Sequence, residues 1–270
     1  MSKVGPDDSP GWFALIFGRD AVIMMHHTTN AEAWVSGQTM SGFDLSLLEH
    51  DNLGSTIYQK LCEALMKGAF KPNDRLKIRD LAERLGTSVT PVRDAILRLV
   101  QDQALVLRSP RDIRVPMLTR AAYLEIRDIR VSLEGMAAAR AAGKATPDQI
   151  AALESLLARN EDAMAAGNTA LATELNQIFH FKLAEIADMP VLGDILRRLW
   201  LQMGPLIADV YGGAGRAMID HHYPLMDAIR RHDGPAAAIA IQADILLASG
   251  PILERIDAEV PDRAPAVLVS

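Results

Sequence analysis

The chain has 270 residues, which is enough for two domains of ordinary size. Hydrophobic residues make up 49% of it and aromatic residues only 5%, a balance that favours a mainly helical protein. The net charge of −6 would argue against nucleic-acid binding, but residues 51–118 hold 12 Lys and Arg against 8 Asp and Glu, a net charge of +4. The single cysteine, Cys62, excludes a disulfide framework within one chain and fits the reducing cytoplasm.

Residues 1–50 are predicted to be a poorly ordered extension. Their apolar run from Trp12 to Phe17 is interrupted by Gly18-Arg19-Asp20, whereas a transmembrane helix needs about 20 apolar residues. The segment also lacks the basic start and the small-residue cleavage site of a signal peptide. We therefore expect no membrane partner.

A DNA-binding module is predicted in the next segment. A helix over about Ser55–Ala69 and a turn at residues 72–74 precede two short helices over Ile78–Val100. Gly86 separates these two helices, because glycine tolerates the left-handed backbone that ends a helix. In the second helix Ser88 is placed as the N-cap and Pro91 falls in the first turn. Helix, tight turn and helix make a helix-turn-helix.

The N-terminal end of a recognition helix is the part that reaches bases and phosphates. In this chain that end carries Ser88, Thr90 and Arg93 off the apolar stripe. Two β-rich runs, residues 104–108 and 113–116, then flank residues 109–112 and predict a hairpin. Its arginines Arg108, Arg111 and Arg114 suit phosphate attraction, although a solvated charged turn is the alternative.

The run LAERLGTSVTPVRDAILRL, preceded by Gly68 and by Arg75-Leu76, resembles the winged helix-turn-helix of GntR-type bacterial transcription regulators. The resemblance begins near Leu53, which raises the hypothesis that translation starts at Met40. It implies that the hairpin is the DNA-contacting wing. Val89 stands where the family usually has a basic residue, which implies a different operator preference or weaker binding. The DNA-binding residues predicted are Arg75, Ser88, Val89, Thr90, Pro91, Arg93, Arg108 and Arg111.

From Thr119 onward the pattern predicts helix after helix, with no strand signal. The predicted helices cover about residues 119–142, 147–166, 168–187, 190–210, 215–232 and 235–256. They resemble the effector domain of the FCD group (FadR C-terminal domain) of the GntR superfamily, closest to its six-helix VanR-like branch. The predicted domains are therefore a DNA-binding domain at 51–117, a helical ligand-binding and dimerisation domain at 118–258, and a flexible tail at 259–270.

A divalent metal site is predicted in the helical domain. Asn176 and His180 are four residues apart and so share one helix face, while His222 and Asp244 lie on later helices. NQIFH and DHHYPLMDAI resemble two elements of the family's metal site, which pairs Asp or Asn and His with two further histidines. Asp244 replaces the last histidine. This set could bind Zn²⁺, Mn²⁺, Ni²⁺ or Fe²⁺, and the alternative is a hydrogen-bonded polar core.

Arg130 is the predicted effector-binding residue. It fits the family's R-x-x-L-E pattern, in which an inward arginine clamps a ligand carboxylate by paired hydrogen bonds. The alternative role is an intrahelical ion pair with Glu134. The leading hypothesis is thus a homodimeric repressor that binds operator DNA and responds to a small carboxylate. The competing hypotheses are a metal-dependent enzyme using His180, His222 and Asp244, and a helical scaffold that has lost DNA binding.

Overall fold

The structure is a computed structural model that describes residues 52–259, so the predictions about residues 1–50, about Met40 and about most of the tail lie outside it. Its first part is a small head of three helices and a three-stranded sheet. The elements are α1 (Asn52–Met66), β1 (Arg75–Leu76), α2 (Ile78–Arg84), α3 (Val89–Gln101), β2 (Val106–Ser109) and β3 (Asp112–Arg114).

The helix-turn-helix follows from local sequence. α3 buries Val92, Ala95, Ile96 and Leu99, which are the apolar stripe read from the sequence. Gly86 has φ +63°, the left-handed backbone that lets the chain leave α2 and turn into α3. Ser88 is the N-cap of α3, but its side chain makes no capping hydrogen bond within the described residues.

The wing is an antiparallel sheet in the order β1-β3-β2. Leu76 pairs with Ile113, and Leu107 pairs with the same residue from the other side. The hairpin prediction is therefore observed, with each strand one residue shorter than expected and displaced towards the turn. β1 has only two residues, too few for alternation to reveal it from sequence.

The remaining helices form a bundle. Four of its described N-caps use side-chain oxygens: Thr119, Asn168 and Asp233 accept from backbone N–H groups, and Thr146 forms a capping box with Gln149. The elements are α4 (Arg120–Lys144), α5 (Pro147–Ala165), α6 (Thr169–Ile186), α7 (Pro190–Ala214), a 3₁₀ turn (Gly215–Met218), α8 (His222–Arg230), α9 (Gly234–Leu247) and α10 (Ser249–Glu259).

The last helix expected from sequence is interrupted at Ala248, which separates α9 from α10. Pro251 cannot donate a hydrogen bond to the carbonyl four residues earlier, and its ring crowds that carbonyl. Ser249 also donates its hydroxyl hydrogen to the carbonyl of Ile245, an arrangement that often bends helices. Helical periodicity continues through this bend, so periodicity alone does not reveal it.

By length and composition, the span Gly234–Glu259 is apolar enough to cross a membrane, with a mean hydropathy of 1.7 in its most apolar window. In this fold α9 packs along α4, and its buried face carries the acidic residue Asp244. Those are the properties of a core helix in a bundle. α6 is similarly central, since it packs against α4, α5 and α7.

Candidate functional site

Four polar side chains meet inside the bundle because three helices converge there. α6 supplies Asn176 and His180 on consecutive turns, α8 begins with His222, and α9 supplies Asp244. All four are buried, with 1–4% of each residue exposed. The ring of His222 stacks on Phe179 at a centroid distance of 4.3 Å, which fixes its plane. The four predicted metal ligands are therefore brought together.

The two imidazoles converge on the Asp244 carboxylate. Nε2 of His180 lies 3.4 Å from Oδ2 of Asp244, and Nε2 of His222 lies 3.5 Å from Oδ1. One donor atom from each of the three residues falls within a mutual distance of 4.8 Å. This spacing is compatible with ligands that share one cation.

Three atoms of this cluster are buried without a hydrogen-bond partner among the described residues: Oδ1 of Asn176, Nε2 of His222 and Oδ1 of Asp244. An unsatisfied buried polar atom costs about 1–3 kcal/mol, so three together require an explanation. In the polar-core alternative, these three atoms would need a bound water to pair with. A divalent cation would instead accept an electron pair from each, and a mixed imidazole, carboxylate and amide set suits Zn²⁺, Mn²⁺ or Fe²⁺. The residues fit a metal.

Glu134 orients one of these histidines. Nδ1 of His180 lies 2.6 Å from Oε2 of Glu134 and donates to this carboxylate, which leaves Nε2 facing Asp244. A carboxylate behind a histidine ligand is a recurrent feature of metal sites. Sequence reasoning treated Glu134 only as an intrahelical partner, because nothing local links α4 to α6.

Both carboxylates of the cluster are held in their charged form. Burial alone would raise the pKa of Glu134, but Arg130 and His180 outweigh burial and lower that pKa to about 2. Burial likewise opposes ionisation of Asp244, whereas the neighbouring His222 and His180 bring its pKa below the usual value. Asp244 is thus an anionic donor.

Arg130 makes the ion pair that was the alternative to ligand binding. Its Nε donates to Oε1 of Glu134 at 2.5 Å, and its guanidinium carbon lies 4.2 Å from the centre of the Trp200 ring. Arg130 nevertheless lines the same small cavity as the cluster. That cavity has a volume of about 20 Å³ and is lined by Tyr123, Arg130, Asn176, His180, Trp200, Ile207, Met218, Asp244, Ile245, Ala248 and Ile252.

A second concave feature lies on the head, between the wing and the start of α3. This groove has a volume of about 530 Å³. Four of the predicted DNA-binding residues line it, namely Arg75, Val89, Arg93 and Arg111, and so do Lys77 and Arg79, which sequence reasoning did not select. Its cationic lining is what phosphate contact requires. Ser88, Thr90, Pro91 and Arg108 lie outside the groove lining; all but the half-buried Pro91 are exposed.

The arginines of the wing have different roles. Arg75 donates to the carbonyl of Arg111 at 2.6 Å and so braces the turn of the wing. Arg114 bonds to Asp112 and to the carbonyl of Asn73, which turns it away from an open surface. Arg93 and Arg108 are exposed and make no hydrogen bond or ion pair within residues 52–259. Arg111 is exposed as well, and only its backbone is hydrogen-bonded among the described residues, so these three are the cations of this group free to meet an external anion.

Comparison with protein families agrees with this division. Residues 53–115 match the family described as bacterial regulatory proteins, gntR family, and residues 125–246 match the FCD domain. The first match covers the head, and the second covers the helices that supply the buried cluster.

Two curated relatives match about two thirds of this chain. The chain is 33% identical over 190 residues to the HTH-type transcriptional regulator McbR of Escherichia coli K12, covering 69% of this chain and 86% of the relative. It is 24% identical over 187 residues to the HTH-type transcriptional repressor RspR of the same strain, covering 68% and 82%.

A solved structure gives the same result. E. coli McbR/YncC superposes with a TM-score of 0.71 at 30% identity, covering 75% of this chain and 98% of that chain. These relatives and the gntR family are described as transcriptional regulators or regulatory proteins. They confirm the prediction that the chain is not an enzyme.

Proposed function

This chain belongs to the GntR family of bacterial transcriptional regulators and carries an FCD domain, and on that premise we propose that it is a metal-dependent, ligand-responsive repressor. It acts in the cytoplasm as a homodimer on operator DNA and is released by a small carboxylate. The metal ligands are Asn176, His180, His222 and Asp244.

The observation that supports the metal centre is the set of three buried atoms that have no partner within residues 52–259. They come from α6, α8 and α9, so a cation between them would join three separate helices. When bound, the metal supplies positive charge and open coordination positions for an oxygen ligand. Glu134 holds His180 in the tautomer that this role needs.

Charge supports a carboxylate as the effector. Arg130 and Glu134 offset each other through their ion pair, which leaves Asp244 as the net charge of the protein groups. A divalent cation would change that net charge from −1 to +1, and one carboxylate would neutralise it. In this proposal Arg130 supports the effector site but is not its principal anion receptor, since Glu134 already occupies its guanidinium.

The size of the cavity supports regulation by a change of shape. A volume of about 20 Å³ is enough for a water-sized ligand and too small for a metabolite. Effector entry must therefore widen the cavity. A ligand that binds the widened state better shifts the protein towards it, and release from DNA follows if that state binds the operator less well. Release from DNA when the effector binds is the response expected of a repressor, and the relative RspR is named as a repressor.

Metal content tests the centre. Protein purified without an affinity tag or chelator should contain about one divalent ion per chain, and His222→Ala should lose it because one imidazole ligand is removed. His221→Ala is the matched control, since this neighbouring histidine is half-buried and outside the cluster. Equal metal content in wild type and His222→Ala would contradict the proposed centre.

A further inference from the structure

The head rests directly on the two helices that line the buried cavity. A Cβ placed on Gly204 of α7 would lie 2.8 Å from the Cα of Met66, the last residue of α1. A Cβ on Gly68, just beyond α1, would lie 2.2 Å from Cβ of Ala208. Real side chains do not tolerate these separations, so glycine is what allows α1 and α7 to touch.

α6 completes this contact. Nε2 of Gln177 donates to the sulfur of Met66 at 2.8 Å, and both residues are buried. Nearer the surface, Nζ of Lys67 lies 2.9 Å from a carboxylate oxygen of Glu174. We call the contacts among Met66, Gly68, Gln177, Gly204 and Ala208 the docking seam.

Each helix of the seam also reaches the cavity. Gln177 directly follows Asn176, whose Oδ1 has no hydrogen-bond partner among the described residues. Gly204 directly follows Met203, whose sulfur lies 4.0 Å from Nη1 of Arg130. A shift of α6 or α7 at the cavity would therefore also move Gln177 or Gly204, which are the seam residues next to Asn176 and Met203 in the sequence.

We propose that the docking seam transmits the occupancy of the cavity to the DNA-binding head, an inference that rests on the proposed metal centre. A metal bonded to residues of α6, α8 and α9 ties α6 to two further helices and stiffens the surface on which Met66 sits. The head then stays docked. Widening of the cavity displaces α6 and α7 and releases it.

The single cysteine of the chain reports on docking. Cys62 lies on α1, is 7% exposed, and lines a depression between α1 and α7 with Leu201 and Arg198. A thiol reagent should reach it faster when the head moves away or opens. The rate of Cys62 labelling in the full, metal-free chain, with and without added Mn²⁺, therefore measures the seam. Mn²⁺ is the probe because it favours oxygen and imidazole ligands over thiolates.

In wild type we expect Mn²⁺ to slow labelling by about fivefold or more, a typical coupling between two sites. Gly204→Ala should label faster without metal and lose the response to Mn²⁺. Gly193→Ala lies on the same helix, where a Cβ meets nothing within 4 Å among the described residues, and should behave as wild type. His222→Ala should also lose the Mn²⁺ response.

Gln177→Leu keeps the seam packed while removing its hydrogen bond, and it serves if Gly204→Ala does not fold; it should reduce the Mn²⁺ response. The proposal is overturned if Mn²⁺ binds to the wild type without changing Cys62 labelling, or if the folded seam variants respond as the wild type does. That result would not contradict the proposed metal centre. Failure of the metal-free chain to bind any of Zn²⁺, Mn²⁺, Ni²⁺ or Fe²⁺, measured separately by isothermal titration of each ion, would instead remove the proposed function on which the inference rests.

Discussion

Asp244 determines the chemistry of the buried cluster at the scale of single residues. It stands where the family's pattern has a third histidine, and it is anionic and lies 3.4 and 3.5 Å from the two imidazoles. A carboxylate in place of an imidazole adds a hard oxygen donor and a negative charge. The negative charge of Glu134 opposes ionisation of Asp244, so each carboxylate needs a cationic or hydrogen-bonding neighbour.

Glu134→Gln tests the orientation of His180. The amide keeps the size of the side chain but removes its negative charge. The hydrogen bonds that Nδ1 of His180 and Nε of Arg130 donate to it therefore become weaker. The His180 ring can then rotate or change tautomer more easily. We expect metal affinity to fall by about 10–100-fold, the usual effect of removing such a partner. Isothermal titration of the metal-free protein measures it.

The control for this experiment is Glu254→Gln, an exposed glutamate on α10 with no hydrogen bond or ion pair within residues 52–259. Its affinity should equal that of wild type. A Glu134→Gln protein that folds and binds metal as tightly as the control would show that Glu134 does not position the ligand.

At the scale of elements, the recognition helix α3 combines a buried stripe with a short polar end. Val89, the first residue of α3, is half-buried and packs on the core while also lining the basic groove. It therefore serves packing at a position where the family usually has a cation. Electrostatic contact from α3 then falls to Arg93, which is exposed and free.

Arg93→Ala should weaken operator binding by roughly 1–3 kcal/mol and reduce the salt dependence, because a base or phosphate contact is lost. Fluorescence anisotropy on a duplex selected from a random pool by the wild-type protein, repeated at several salt concentrations, measures both quantities. Arg159→Ala, which removes an exposed arginine from α5 in the bundle, should leave both unchanged. Unchanged affinity in Arg93→Ala would favour a scaffold that has lost DNA binding through this helix.

The turn between α2 and α3 gives a second prediction for an element. Gly86 has φ +63°, and a Cβ there would meet nothing within 4 Å among the described residues, so the cost of alanine is one of backbone conformation alone. We expect Gly86→Ala to destabilise the protein by about 1–2 kcal/mol. Gly193→Ala in helical α7 should instead stabilise it by about 0.5–1 kcal/mol. The urea concentration at the denaturation midpoint should fall for Gly86→Ala and rise for Gly193→Ala. Shifts in the same direction would contradict this prediction.

For the whole molecule, charge is divided between the parts. Residues 51–118 carry +4, whereas residues 119–270 hold 14 Lys and Arg against 20 Asp and Glu, a net charge of −6. The head is attracted to phosphate and the bundle is repelled, so the molecule is oriented as it approaches DNA. A dimer built through the bundle would present two heads on one side.

Such a dimer should need two half-sites in fixed helical phase, about 10 base pairs apart centre to centre. Inserting five base pairs between the half-sites rotates one by about half a turn and should reduce affinity to that of a single half-site. Sedimentation of the protein at twice the chain mass of 29.4 kDa checks the dimer itself. An insertion without effect, or a monomer that binds fully, would contradict the homodimer.

Local sequence determined the parts of this protein that depend on neighbours along the chain. The apolar stripe of α3, the left-handed Gly86 and the caps at Thr119, Thr146 and Asn168 are set by residues within one or two turns. The pairing of Asn176 with His180 on one helix face is local in the same sense. These features could be predicted because helix geometry fixes which nearby residues share a face.

Tertiary structure decided what depends on packing between distant helices. It placed Glu134 behind His180, left three polar atoms without partners in the described part of the chain, confined the cavity to about 20 Å³ and brought Gly204 against Met66. The family pattern suggested the ligands, but no periodicity specifies how closely two helices approach. That distance is set by the complementary shapes of many side chains at once, because protein interiors are close-packed.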